Sequence, residues 1–187
     1  MKANLLIALR LSIVSIVLCA GIYTLVVWGM AQLVPNKGKG FILTHKGQSY
    51  YSNIGQSFTE DRYFNSRPSA VGYNAAGSGG SNKGPNNPEY LAQVQERIDS
   101  FMVHNPQVSR GQIPVDLITA SGSGLDPDIS EAAALVQVPR IAALRHIDVA
   151  TLLSLVAQQK EKPLLGLFGP ARINVLKLNI ALDNISK

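Results

Sequence analysis

The sequence predicts an α+β protein in which one membrane-spanning helix is followed by a single mixed α/β domain. Three observations predict it: an apolar stretch without charges over the 24 positions from Leu11 to Val34, later segments that begin with helix-capping residues, and a C-terminal stretch of alternating side chains. The chain has 187 residues, enough for one ordinary domain. With 46% hydrophobic and 16% charged residues, and a mean hydropathy of +0.12, it does not resemble an ordinary cytosolic enzyme.

Residues 11–34 are predicted to form the transmembrane helix, between an N-terminal segment at 1–10 and the domain at 35–187. Such a helix rises about 36 Å, slightly more than the roughly 30 Å hydrocarbon core of a bilayer, so it can cross with a modest tilt. Tyr23 and Trp28 lie toward its C-terminal half, where interfacial aromatic residues are common. A cleaved signal peptide is the competing interpretation, but its apolar run is usually only about 7–15 residues long. The basic residues on the two sides balance, so charge alone leaves the orientation open.

Small side chains form a stripe along this helix. Ala8, Ser12, Ser15 and Cys19 are spaced by 4, 3 and 4 residues, which places them on one helical face. Small residues let two helices approach closely in lipid, so Ser12, Ser15 and Cys19 are candidate contacts with a partner helix. Chance is the alternative, because small residues are common in membrane-spanning helices.

The first part of the domain is predicted to contain a hairpin and a long loop. Apolar and aromatic residues on both sides of His45-Lys46-Gly47 predict a small hairpin over residues 41–51. Residues 57–87 are rich in Gly, Ser and Asn and favour neither helix nor strand. A loop of this length is usually functional or disordered, and its aromatic residues favour a loop that is pinned to the core.

The rest of the domain is predicted to contain three helices and a strand. Each helix begins at a capping residue: Asn87, Ser130 and Asp148. The first helix ends before Pro106, and Pro139 is expected to kink the second. The stretch Ile173–Leu182 alternates with a period of two, which predicts a half-buried strand.

The loops contain only weak matches to catalytic motifs. Residues 77–82 resemble a phosphate-binding loop but lack its Gly-Lys-Ser/Thr ending, and Ser121 stands where a nucleophile elbow has its first glycine. Asp126 and Asp128 precede a helix, and turn formation accounts for both. Arg67 can either bind a carboxylate or phosphate or tether the long loop to the domain.

Composition excludes several other classes of site. Cys19 is the only cysteine and the three histidines are far apart, which excludes a disulfide framework and a zinc site. The formal net charge is +5, but the basic residues are scattered, so no nucleic-acid binding is predicted. We therefore predict no catalytic residue and no metal site.

Several short segments, taken in order, form a specific pattern behind the single N-terminal apolar helix. They are Tyr63-Phe64, Arg67–Ala70, Ser78–Asn82, Asn87-Pro88, Pro114–Ser130, Gln137–Arg140 and Ile173–Asp183. This pattern resembles the C subunit of the Kdp-type potassium-transporting P-type ATPase of bacteria and archaea. Each segment alone is weak, but the ordered set covers nearly the whole chain.

The resemblance implies a non-catalytic subunit of a high-affinity, ATP-driven potassium uptake complex. The implied partners are a channel-like potassium-translocating subunit, a P-type subunit that hydrolyses ATP, and a small accessory peptide. The implied location is the plasma (inner) membrane, with a single span, a cytoplasmic N-terminus and residues 35–187 on the extracytoplasmic side. The matching loops then supply the candidate partner contacts, which are Arg67, Ser69, Ser78, Asn82 and Asp126.

The resemblance also implies two roles. One is a catalytic chaperone that raises the ATP affinity of the hydrolytic subunit, with Gln137 as a proposed nucleotide contact. The other is a cap that stabilises the potassium-conducting subunit from outside, with K+ as the ion transported by the complex. A domain outside the membrane cannot touch cytoplasmic ATP, so we favour the cap, and Gln137 beside Pro139 can equally satisfy backbone groups freed by a kink. A membrane-anchored extracytoplasmic binding module or hydrolase unrelated to transport is the alternative, supported only by the serine-rich loops.

Overall fold

The computed structural model describes residues 2–163 and 165–185, and the chain divides between Thr44 and His45 into two compact units. The first unit is dominated by one apolar helix, built from α1 (Lys2–Ile16), a π-helical turn (Val17–Ile22) and α2 (Tyr23–Gln32). Between Asn4 and Gln32 this helix is long and apolar enough to cross a membrane, and its large apolar side chains are exposed.

The predicted hairpin is confirmed. Strands β1 (Ile42–His45) and β2 (Gln48–Tyr51) form a two-stranded sheet. Both residues between them have positive φ angles, +50° at Lys46 and +79° at Gly47. Positive φ at both central residues is typical of the two-residue turns that match the twist of antiparallel strands.

The second unit begins with the long loop and then a long helix. Residues 52–87 contain neither helix nor strand, and α3 runs from Pro88 to His104. The side-chain oxygen of Asn87 accepts a hydrogen bond of 3.0 Å from the backbone N–H of Tyr90, which confirms the predicted cap. Two 3₁₀ turns follow α3, at Arg110–Gln112 and Val115–Leu117.

Two short helices replace the single kinked helix that was predicted around Pro139. Helix α4 (Glu131–Leu135) is capped by Ser130, and α5 (Val138–Arg145) starts anew after the break. Pro139 lies in the first turn of α5, where the backbone N–H that proline lacks has no intrahelical partner. Helix α6 (Val149–Gln159) begins at its predicted cap, Asp148.

A small antiparallel sheet joins distant parts of this unit. It contains β3 (Asp128–Ile129), β4 (Lys160–Glu161) and β5 (Arg172–Asn174), in the order β3-β5-β4. Ile173 in the central strand pairs with Ile129 on one side and Lys160 on the other. The sheet therefore forms only when the central strand β5 is in place.

The predicted strand over Ile173–Leu182 is wrong for most of its length. Strand β5 ends at Asn174, and α7 runs from Val175 to Ile185. The side-chain oxygen of Asn174 accepts a hydrogen bond of 3.1 Å from the N–H of Lys177, so it caps this helix. The apolar pattern of this stretch also fits one face of a helix. The buried residues of α7 recur at that helical spacing and are Val175, Leu176, Leu178, Asn179 and Leu182.

The core of the second unit lies among helices α4 to α7 and strand β5. The long loop contributes Phe64, which is fully buried against these elements. The other fully or nearly fully buried core residues include Ile129, Ile141, Leu152, Val156, Ile173 and Leu178. One loop residue in the centre of the core explains why a segment without secondary structure has a defined course.

Candidate partner-binding surface

Two loops brace each other on one side of the second unit. The backbone N–H of Gly79 donates to the carbonyl of Ser123 at 2.8 Å, and the N–H of Ser121 donates to the carbonyl of Pro68 at 3.1 Å. We call the paired segments 67–80 and 121–126 the loop platform. Backbone groups thus find partners across the two loops, which gives irregular chain a fixed shape.

Serine side chains reinforce the platform. The Ser69 hydroxyl donates to the carbonyl of Gly124 at 2.7 Å and accepts from the N–H of Tyr73 at 2.9 Å. The Ser78 hydroxyl donates to the carbonyl of Ser123 at 3.0 Å. Ser69 and Ser78, two of the candidate partner contacts, therefore hold the backbone of the platform in shape through bonds within the chain.

Arg67 and Asp126 form an ion pair across the platform. The guanidinium NH1 lies 2.8 Å from the Asp126 carboxylate, and each side chain is about a quarter exposed, 26% and 27%. The other Asp126 oxygen accepts from the N–H of Asp128 at 3.0 Å. Arg67 thus acts as a tether, one of the two interpretations its sequence context allowed.

Close backbone approach makes one glycine necessary here. Gly124 has a φ of +67°, and a Cβ at this position would lie 2.5 Å from a methyl group of Val71 and 2.8 Å from the carbonyl oxygen of Gly79. A larger residue would push the two loops apart. The hydroxyl of Ser121, which is buried, accepts from the N–H of Gly124 at 2.9 Å, so turn formation explains this serine.

The other candidate contacts lie elsewhere. Asn82 is exposed just beyond the platform and has a φ of +52°. Ser12, Ser15 and Cys19 are exposed on the apolar helix of the first unit. Cys19 falls inside the π-helical turn, whose larger number of residues per turn rotates it relative to the regular α-helical spacing of Ser12 and Ser15.

Gln137 is fully buried where α4 gives way to α5. Its amide oxygen accepts from the N–H of Asn65 at 2.8 Å and from Arg140 at 2.9 Å. Its amide nitrogen donates to the carbonyl of Ala133 at 2.9 Å. The side chain thus joins the helix break to the long loop.

Burial affects the pKa of Arg140 beside this amide. Its side chain is only 6% exposed, and this burial lowers the pKa of the guanidinium, while the nearby Asp61 carboxylate acts in the opposite direction. The guanidinium also donates to the carbonyl of Tyr63 at 2.9 Å. Arg140 therefore fixes the long loop from the same side as Gln137.

A second charged cluster, which the sequence analysis missed, surrounds Asp183 near the end of α7. Its carboxylate accepts from Lys46 at 2.6 Å, His45 at 3.2 Å, Tyr63 at 3.2 Å and Arg145 at 2.9 Å. Burial by itself would raise the pKa of Asp183, but these hydrogen bonds outweigh it and hold the pKa well below its usual value. We call these five residues the Asp183 cluster.

A buried asparagine complements the cluster. Asn179 is 2% exposed, and its amide both accepts from the N–H of Phe64 and donates to the carbonyl of Phe64, each at 2.9 Å. The only sequence signal for it was a polar residue within an apolar pattern. In residues 2–163 and 165–185, no three His, Cys, Asp or Glu side chains form a group that could hold a metal ion.

The chain combines an apolar helix long enough to span a bilayer with a domain whose candidate polar residues form hydrogen bonds and ion pairs within the domain. This architecture suits a membrane-associated accessory subunit. Comparison with known proteins agrees with this class: the family described as "K+-transporting ATPase, c chain" matches residues 5–184. The chain belongs to this family.

Full-length relatives are similar over nearly their whole length. The potassium-transporting ATPase KdpC subunit of Flavobacterium johnsoniae is 50% identical, over 97% of this chain and 98% of the relative. The KdpC subunit of Bacteroides fragilis (strain YCH46) is 48% identical over 97% of each chain, and that of Bacillus anthracis is 44% identical over 96% and 94%. The predicted resemblance is confirmed, and the chain is a subunit of a potassium-transporting ATPase rather than a complete enzyme.

Proposed function

We propose that this chain is a scaffold of a P-type potassium uptake ATPase, anchored in the plasma membrane by its apolar helix. The N-terminus lies in the cytoplasm and residues 35–187 lie outside, where they cap and stabilise the potassium-conducting subunit. The braced loop platform supports this role, because it holds more than a dozen residues of irregular chain in one fixed outline. A preformed surface loses little conformational entropy when a partner binds.

The geometry of Gln137 bears on the ATP-affinity role. Its amide is buried and bonded to protein groups on both sides, so we assign it to holding the long loop. In this proposal, an effect of the chain on ATP affinity arises through assembly of the complex and does not require ATP to contact Gln137. The hydrolytic subunit then supplies the nucleotide site, and the K+ ion passes through the channel-like subunit.

Co-purification tests the scaffold role. A C-terminally tagged chain, extracted in mild detergent from its host starved of potassium, should carry with it a P-type ATPase subunit, a channel-like subunit and a small peptide. Ser15→Leu, which enlarges a small residue on the helix, should reduce their recovery, while Ile16→Leu should not, because it keeps the size of a large one. Isolation of the wild-type chain alone, under conditions that preserve other membrane complexes, would refute the role.

Labelling in intact cells tests the orientation. Val103→Cys places a thiol at an exposed position of α3, outside the loop platform, whereas the native Cys19 lies in the apolar helix. A membrane-impermeant maleimide should label Val103→Cys in intact cells and should leave the wild-type chain unlabelled. Labelling only after permeabilisation would reverse the proposed orientation.

A further inference from the structure

The turn between β4 and β5 presents large apolar side chains to solvent. Leu165 is 82% exposed, Leu167 is 81% exposed and Phe168 is 63% exposed. We call residues 165–168 the apolar turn. Single exposed apolar residues are ordinary, but three within four positions concentrate apolar surface in one short turn, and concentrated apolar surface often marks an interaction site.

The backbone of the apolar turn has a defined and partly strained conformation. Leu165 has a φ of +54°, which is uncommon for a residue with a branched side chain, and Gly166 and Gly169 have φ angles of +74° and +81°. The N–H of Gly166 donates to the carbonyl of Pro163 at 2.9 Å. Strained conformations of this kind cluster at functional sites. A defined turn suits a shaped protein cleft, whereas a lipid surface requires no particular shape.

Most charges at the base of the turn are paired within the chain, and the exposed Lys162 is the exception among the described residues there. Lys160 pairs with Glu131 at 2.5 Å, and Lys177 pairs with Glu161 at 2.7 Å. Arg172 lies 3.3 Å from carboxylates on both Asp128 and Glu161. The segment 163–171 itself carries no charge. Loops that insert into anionic membranes usually add several free basic residues to their apolar tip, and this base does not offer such a cluster.

We propose that the apolar turn inserts into an uncharged, apolar cleft on another subunit of the potassium-transporting ATPase. This inference rests on the proposed scaffold role and identifies the segment that anchors the contact. Membership of a multi-subunit ATPase family provides the partner. The fixed turn and a base with a single unpaired lysine, Lys162, favour a protein cleft over a bilayer. Central apolar anchors that fill a pocket typically dominate the energy of such an interface.

Photocrosslinking in cells that express the whole complex identifies what covers the turn. The chain carries p-benzoylphenylalanine in place of Leu167, and a matched control carries it in place of Val103, which is 77% exposed on α3. The expected result is a covalent adduct between position 167 and a different subunit of the ATPase, well above the control. Adducts with lipid alone, with a second copy of this chain, or at no more than the control level would overturn the inference.

A paired substitution measures how much the turn contributes. The variant Leu167→Ser with Phe168→Ser should retain about a tenth or less of the wild-type recovery of partner subunits, while Val103→Ser should match the wild type. Because both turn residues are exposed, the melting temperature should stay within about 2 °C of the wild type. Equal recovery of partners by the turn variant would refute the inference and leave the scaffold role intact. If the wild-type chain itself recovers no partner, the scaffold role fails and the inference fails with it.

Discussion

The buried amide of Gln137 provides the most informative single substitution. Gln137→Leu keeps the approximate size of the side chain but removes its polar atoms. Three groups then lose a partner at 2.9 Å or less: the N–H of Asn65, the carbonyl of Ala133 and one N–H of Arg140. If each costs about 1.5 kcal/mol, and leucine burial returns about 1 kcal/mol, the net loss is about 3.5 kcal/mol.

Thermal unfolding in detergent, followed by circular dichroism, measures this loss. For a domain of this size, about 3.5 kcal/mol corresponds to a fall of roughly 12 °C in the melting temperature. Gln107→Leu is the matched control, because Gln107 is exposed, and its melting temperature should remain unchanged. The reasoning would be refuted if Gln137→Leu left the melting temperature within about 3 °C of the wild type and raised the KM for ATP of the assembled complex. That result would indicate a direct nucleotide contact instead.

Three further predictions concern the loops and the Asp183 cluster. A double-mutant cycle of Arg67→Ala and Asp126→Ala, measured by chemical denaturation, should give a coupling of about 1 kcal/mol, and additive effects would contradict the tether. Gly124→Ala should lower the free energy of unfolding by about 2 kcal/mol. The control Gly111→Ala, whose Cβ meets open space, should change the free energy of unfolding by less than about 0.5 kcal/mol. Equal effects of the two substitutions would refute the close approach of the two loops at Gly124. Since the pKa of Asp183 is depressed, its stabilising effect is present above the unfolded-state pKa of about 3.9 and is lost as the pH falls below that value. Asp183→Asn should therefore be less stable than the wild type at pH 7, with a smaller difference at pH 3, and an equal difference at both pH values would count against the cluster.

Local signals predicted much of the secondary structure. Asn87, Ser130 and Asp148 each cap a helix as expected, because the capping hydrogen bond involves only residues within the first turn. The hairpin could also be predicted from neighbouring residues alone, because Lys46-Gly47 suits a tight turn. The error at Ile173–Leu182 has a physical origin. Leu176, Leu178 and Ile180 recur at every second position and so fit an alternating pattern, and only the capping role of Asn174 separates this pattern from a helical one.

The arrangement of the candidate surface could not be predicted in the same way. Arg67 and Asp126 are 59 residues apart, and nothing local to either residue specifies the other as its partner. The same holds for Gln137 and Asn65, which are 72 residues apart. Asp183 was missed because its importance comes from four donors that arrive from three separate parts of the chain. Tertiary packing decides such contacts, and residue spacing alone does not encode them.

The position of the central strand has a consequence for how the protein is made. Strand β5 begins at Arg172, and every pairing of the three-stranded sheet involves it. The Asp183 carboxylate joins His45, 138 residues earlier, so this contact also waits for a long stretch of chain to be synthesised. A ribosome must therefore deliver the chain as far as Asp183 before the domain can close, long after the apolar helix has emerged. We expect nascent chains to rely on chaperones during this interval, because their apolar segments stay uncovered until these contacts can form.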